Sequence, residues 1–134
     1  MLGHYLMFDR NCAQALEAYA EAFGVVVTDK QTYGDMPASP DFPVAEEDMG
    51  LVLHSRFVID GVEVMCADSA ERNKAGSNMY VSLTTKDAAL VHRAWDVLKQ
   101  DAEIYMELTP TFFAAGHGAL RDRFGINWMF TALK

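Results

Sequence analysis

The sequence predicts an α+β fold made of one βαβββ unit repeated, and three observations predict it. Strand-like and helix-like periodicities alternate in the same order twice along the chain. The apolar positions of the two halves coincide when one is laid on the other. The 134 residues, 51% of them hydrophobic, are enough for one domain with a sizeable core and too few for two ordinary ones.

The elements follow in order. His4-Tyr5-Leu6-Met7-Phe8 reads as a strand. Asn11 stands as the N-cap of a helix, with Gln14 three residues on in the manner of a capping box. Leu16, Tyr19, Ala20 and Phe23 fall at helical spacing, and Gly24 ends the helix. Residues 25–33 return to strand character. Gly34 to Gly50 holds three prolines and the acidic run Glu46-Glu47-Asp48, and reads as one long loop of the kind that serves as a lid or dimer arm. The two strands that follow are joined by Asp60-Gly61, a type I′ hairpin pair.

After a polar stretch from Asp68 to Ser77 the pattern restarts. Met79 to Leu83 is a strand. Thr85 caps a second helix with Asp87 in its first turn and Val91, Ala94, Trp95 and Leu98 as its apolar stripe. Glu103–Thr109, Ala119–Arg123 and Ile126–Ala132 are strands, with Gly116-His117-Gly118 read as a hairpin turn between two of them. Leu6, Phe8, Leu16 and Phe23 map onto Val81, Leu83, Val91 and Leu98 at a single offset of 75. Gly61 to Met65 maps onto Gly125 to Met129 at 64, the difference reflecting the long loop. The expected organisation is a single domain over 1–134, with module one at about 1–68 and module two at about 78–134.

A formal charge of -8 at pH 7 argues against nucleic acid or an anionic membrane as partner. No apolar run approaches the roughly 20 residues of a membrane span. The first residues show neither the basic cluster nor the cleavage site of a signal peptide. Cys12 and Cys66 stand at no metal or redox spacing and read as buried thiols of a reducing compartment, so a cytoplasmic location is expected.

Several stretches carry a family resemblance. They are Tyr5-Leu6 to Asn11-Cys12-Ala13, Phe23-Gly24, Tyr33-Gly34-Asp35-Met36-Pro37, Thr111-Phe112-Phe113-Ala114 and Asp122-Arg123-Phe124-Gly125-Ile126-Asn127-Trp128. Together they resemble the PhnB-like branch of the vicinal-oxygen-chelate superfamily, which includes glyoxalase I, extradiol dioxygenases, and fosfomycin- and bleomycin-resistance proteins. The resemblance implies a curved, cup-shaped mixed sheet open on one side, with helices on the outer face, and a homodimer. Members of the branch are often described as phosphonate-related or as demethylubiquinone methyltransferases. A nucleotide-type fold would require a glycine-rich turn between a strand and a helix, and none is evident.

Strand parity then assigns faces, because alternate residues point to opposite sides. Tyr5, Met7, Phe57, Ile59, Val62, Val64, Cys66, Met79, Val81, Leu83, Trp128 and Phe130 are expected under the helices. His4, Leu6, Arg56, Glu63, Met65, Asn78, Tyr80, Ser82, Asn127, Met129 and Thr131 are expected in the cup. Within that set the pocket residues are His4, Arg56, Glu63, Met65, Asn78, Tyr80, Asn127 and Met129, with Phe113 as a pocket wall or dimer-interface plug. Arg56 and Glu63 lie diagonally across the Asp60-Gly61 hairpin and can form an ion pair. Cys66 reads as inert core, and His54 and His117 as exposed strand or turn ends.

Metal-using relatives carry His or Gln and Glu on the first and last strand of each module. The matching positions counted here are His4, Met65, Asn78 and Met129, of which only His4 is an ordinary ligand, so no metal and no cofactor is expected. The favoured function is binding of a small organic molecule in a metal-free pocket. Two alternatives stay open: a glyoxalase-type lyase, isomerase or dioxygenase using His4 and Glu63, and a dimeric scaffold without a ligand.

Overall fold

Five segments of the first half satisfy their backbone hydrogen bonds as β1 (His4–Phe8), α1 (Cys12–Phe23), β2 (Thr28–Thr32), β3 (Val52–Ile59) and β4 (Val62–Asp68). The second half repeats the order with β5 (Val81–Thr85), α2 (Ala88–Leu98), β6 (Glu103–Thr109), β7 (Ala114–Arg121) and β8 (Asn127–Leu133). The structure is a computed structural model that describes residues 1–134. Each half forms an open four-stranded mixed sheet, ordered β1-β4-β3-β2 and β5-β8-β7-β6. The outer pairs β1–β4 and β5–β8 are parallel and the others antiparallel, so the α+β fold and the duplicated βαβββ topology are both present. No helix is long and apolar enough to cross a membrane.

The chain divides into two compact units, Met1–Glu17 with Val25–Asn73, and Ala18–Gly24 with Lys74–Lys134. Helix α1 thus begins in the first unit and ends in the second. In the first unit Phe8, Cys12, Leu16, Val52, Phe57, Val64 and Cys66 are buried. In the second, Tyr19 and Phe23 from the end of α1 pack on Trp128, with ring centroids 5.4 and 5.0 Å away. Trp95 of α2 meets Phe130 edge-on, and Trp128 and Phe130 stack nearly parallel at 5.8 Å. Such aromatic pairs add to the stabilisation from burial itself.

Local turn chemistry follows the sequence closely. Asp60 and Gly61 both have positive φ, as a type I′ turn requires. Gly24 closes α1 at φ 64. The cap of α2 is Asp87, which accepts from Leu90 N–H, and not the expected Thr85, whose Oγ1 accepts from Asp87 N–H.

Two further expectations are corrected. Asn11 does not cap α1 with its side chain: its Oδ1 is buried without a hydrogen-bond partner. The first helical amide, Cys12 N–H, donates instead to Asp68 Oδ1 at 2.9 Å. An ionised carboxylate is the stronger acceptor at a helix N-terminus. The second correction is Gly116-His117-Gly118, which lies inside β7 rather than in a turn. A Cβ at Gly118 would sit 2.9 Å from the Leu108 Cα and 3.0 Å from the Trp95 ring. The glycine lets β6 and α2 approach the strand, which is a packing requirement and not a chain reversal.

Two buried carboxylates tie the strands together. Asp68 Oδ2 accepts from Val52 N–H and its carbonyl accepts from the Tyr33 hydroxyl, both at 2.9 Å. Asp122 Oδ1 accepts from Phe124 and Ile126 N–H, and Oδ2 from Tyr19 O–H and Trp128 Nε1–H. An amide in place of Asp122 can accept only through its single oxygen, leaving two of these donors without an acceptor. Asp122→Asn is expected to cost about 3 kcal/mol, read as a lower urea midpoint at unchanged slope; a loss under about 1 kcal/mol would show the network to be dispensable. Gly118→Ala is expected to cost about 2 kcal/mol by overpacking in the same experiment, and wild-type stability would refute the close approach.

Candidate functional site

Each sheet has a face packed under helical residues and a second face that carries exposed side chains. In the first sheet the register decides which residues share a face. His4 pairs with Val64 and Leu6 with Cys66, whereas Tyr5 pairs with Met65 and Met7 with Ala67. Phe57 pairs with Val64 and Arg56 with Met65. His4 and Leu6 therefore share the face of the buried Val64 and Cys66, and Tyr5 and Met7 share the open face with Arg56, Glu63 and Met65. This reverses the parity expected for β1, although Arg56, Glu63 and Met65 stand together as expected. His4 is exposed at the strand end. The misreading arose because both faces of this short strand carry large apolar or aromatic side chains.

The open face of the first sheet has a defined polar arrangement. Tyr5 Oη lies 2.9 Å from His54 Nδ1. Burial, and then the neighbouring Cys66, Cys12 and Tyr33, push the Tyr5 pKa up, so its phenol keeps its proton at neutral pH. Arg56 is ion-paired to Asp29 and, at 3.2 Å, to Glu63, which in that order hold its guanidinium above its usual pKa. The Met65 methyl lies 3.6 Å from the position a Cβ would take on Gly3.

In the second sheet Ser82 pairs with Met129 and Ala119 with Met129, while Val81 pairs with Trp128 and Leu83 with Phe130. Met129, Asn127 and Thr131 accordingly alternate with the buried aromatics. Asn127 is itself buried: its amide donates to the Gly76 and Met79 carbonyls and its oxygen accepts from Tyr105 O–H at 3.0 Å. It fixes the segment that carries the exposed Asn78. Tyr80 and Tyr105 meet edge-to-face at 6.0 Å, both partly exposed. His117 Nδ1 lies 2.9 Å from Thr131 Oγ1, and its ring packs edge-on to Phe113 at 5.1 Å. Phe112, by contrast, is 92% exposed.

Strand parity sets Tyr5 under the helices and gives His54, Tyr105 and His117 no place in the cup. A usable signal existed for two of them. The offset of 75 that aligns Leu6 with Val81 also aligns Tyr5 with Tyr80, and His54 shares the parity of Arg56. His117 was hidden by the glycines around it.

The residues do not fit a hard or borderline divalent cation. No three His, Cys, Asp or Glu side chains converge in the chain. The first- and last-strand positions on the open faces bring Tyr5 with Met65, and Ser82 with Met129. Thioethers are soft donors poorly matched to Zn²⁺, Mn²⁺ or Mg²⁺. Neither strand-to-helix junction is glycine-rich, since Asp9-Arg10-Asn11 and Lys86-Asp87 precede the helices.

A duplicated βαβββ topology with two open mixed sheets defines a protein of the vicinal-oxygen-chelate superfamily. The family profile described as 3-demethylubiquinone-9 3-methyltransferase matches residues 2–131, and the chain belongs to that family, the PhnB-like branch. Protein YjdN of Escherichia coli (strain K12) is 29% identical over 140 residues, which cover 99% of this chain and 95% of YjdN. The crystal structure of PA1353 from Pseudomonas aeruginosa aligns at a TM-score of 0.83 and 28% identity, over 98% of this chain and 96% of the other. The PhnB protein from Bacillus cereus aligns at 0.77 and 25%, over 97% of both chains. In fold alone the chain resembles FosX, a fosfomycin resistance protein from Listeria monocytogenes, at a TM-score of 0.62 and 11% identity over 100% and 93% of the two chains. That FosX structure contains Mn(II) and 1S,2S-dihydroxypropylphosphonic acid.

Cys12 and Cys66 are both fully buried and free. A hydrogen bond with Cys12, followed by burial, pushes the Cys66 thiol far above its ordinary range. A raised thiol pKa leaves no thiolate at moderately alkaline pH, and the thiolate is the reactive species. Native protein at about pH 8 is expected to react with a thiol-specific chromogenic disulfide only after denaturant is added, and prompt reaction of one equivalent would contradict this placement.

Proposed function

We propose that the protein binds a small organic molecule on the open faces of its sheets, without a metal. The observation that supports this is the composition of those faces. Exposed aromatic side chains (Tyr5, Tyr80, Tyr105 and Phe113) and the half-buried thioethers of Met65 and Met129 stand beside polar groups already held in place by hydrogen bonds. A mostly apolar surface with a few oriented polar anchors is what small-ligand sites require, and methionine adapts to the shape it meets. The ion-paired Arg56 gives orientation more than net charge, because Glu63 and Asp29 neutralise it. Location in the cytoplasm and assembly as a homodimer belong to the same reading, the latter through the exposed Phe112.

The test is a fragment screen read by the methyl resonances of ¹³C-labelled methionine. Hits are expected to move Met65 or Met129. Hits that move only Met36 and Met49, in the long loop, would sink the proposal. One equivalent of Zn²⁺ or Mn²⁺ is expected to leave the melting temperature unchanged; stoichiometric retention of either would restore the glyoxalase-type enzyme. For the dimer, sedimentation equilibrium is expected to show dissociation in Phe112→Ser, and a monomeric wild-type protein would remove that part of the reading.

A further inference from the structure

Two of the four histidines occupy equivalent places in the two modules. His54 stands two residues before Arg56, the partner of Met65, and His117 two residues before Ala119, the partner of Met129. Met65 and Met129 are themselves related by the internal repeat. In both cases Nδ1 lies 2.9 Å from a hydroxyl oxygen, Tyr5 Oη in one and Thr131 Oγ1 in the other. Neither Nε2 has a partner within the chain, and both rings are half-buried.

Each hydroxyl can give a proton to Nδ1 or accept one from it, so the 2.9 Å distances are compatible with two tautomers. The Tyr5 phenol, held protonated, has its hydrogen to give. The Thr131 hydroxyl is buried, and the proton it has to give can go to His117 Nδ1. When Nδ1 accepts, a neutral imidazole carries its proton on Nε2. With both hydroxyls donating, the repeat places one Nε2–H donor beside an aromatic side chain in each module: Tyr5 in the first, Phe113 in the second.

From this geometry we infer that His54 and His117 are two equivalent binding sites for a hydrogen-bond-accepting oxygen, and that the ligand class is an uncharged aromatic carbonyl compound. The inference rests on the small-molecule reading of the open faces. Carboxylates are disfavoured because the net charge is -8 and the arginine on the first face is already neutralised by Asp29 and Glu63.

The experiment uses the full-length ¹⁵N-labelled protein at about pH 8, where an ordinary imidazole is neutral. Long-range ¹H–¹⁵N correlation spectra are expected to show the Nε2–H tautomer at His54 and His117. Tyr5→Phe should release His54 alone, and Thr131→Val should release His117 alone. Acetophenone is then titrated beside ethylbenzene, which has the same ring without the oxygen. Acetophenone is expected to bind about tenfold more tightly, as one added hydrogen bond allows, and to shift both Nε2 resonances. An Nδ1–H tautomer at either ring, or equal affinity for the two probes with both Nε2 resonances unmoved, overturns the inference while leaving apolar binding intact. A response at one histidine only overturns the equivalence and assigns the site to that module. If neither probe binds, the small-molecule reading falls as well.

Discussion

Asp122 is buried and accepts four hydrogen bonds, two on each carboxylate oxygen. Burying a charge costs several kcal/mol unless its lone pairs are satisfied. Here the offsetting donors come from three places at once: two amides of the β7–β8 turn, the indole of Trp128 and the phenol of Tyr19. The same residue therefore shapes the turn, anchors the central aromatic of the sheet and holds the end of α1. Asp68 does comparable service in the first unit, joining the start of α1, the start of β3 and the Tyr33 hydroxyl. Both residues stand at the point where a strand leaves its ladder, which is where backbone donors lack regular partners.

These anchors explain how a sheet can keep one face open. The helix-side aromatics and the carboxylates beneath them supply the packing that fixes strand positions. The opposite face can then carry exposed side chains that this packing does not require. Its polar members are not loose: Tyr5 binds His54, Thr131 binds His117, and Tyr105 binds Asn127. Preorganised polar groups lose little entropy when a ligand arrives. Asn127 illustrates a division of labour. Its buried amide is spent on the Gly76 and Met79 carbonyls and so positions the neighbouring strand rather than offering itself to solvent.

Much of the fold was legible because it rests on local chemistry. The Asp60-Gly61 turn, the Gly24 helix end and the matched apolar stripes each follow from residues a few positions apart. The diagonal Arg56–Glu63 pair was legible for the same reason. What could not be read is mostly non-local. Nothing near Asn11 indicates that Asp68 takes over its capping role, and nothing near Gly118 indicates that Leu108 and Trp95 require a missing side chain. The facing of β1 was ambiguous locally, since Tyr5, Leu6 and Met7 are all plausible core residues. The offset linking Tyr5 to Tyr80 held the answer, because the second module alternates more cleanly.

Helix α1 contributes Cys12–Glu17 to one unit and Ala18–Phe23 to the other. The seam of the duplication in the sequence thus differs from the seam in the folded chain. Splitting the coding region between the repeats would strand Tyr19 and Phe23 on one fragment and Trp128, Phe130 and Asp122 on the other. Two separate βαβββ halves of this chain would each lack part of the packing that the intact helix supplies.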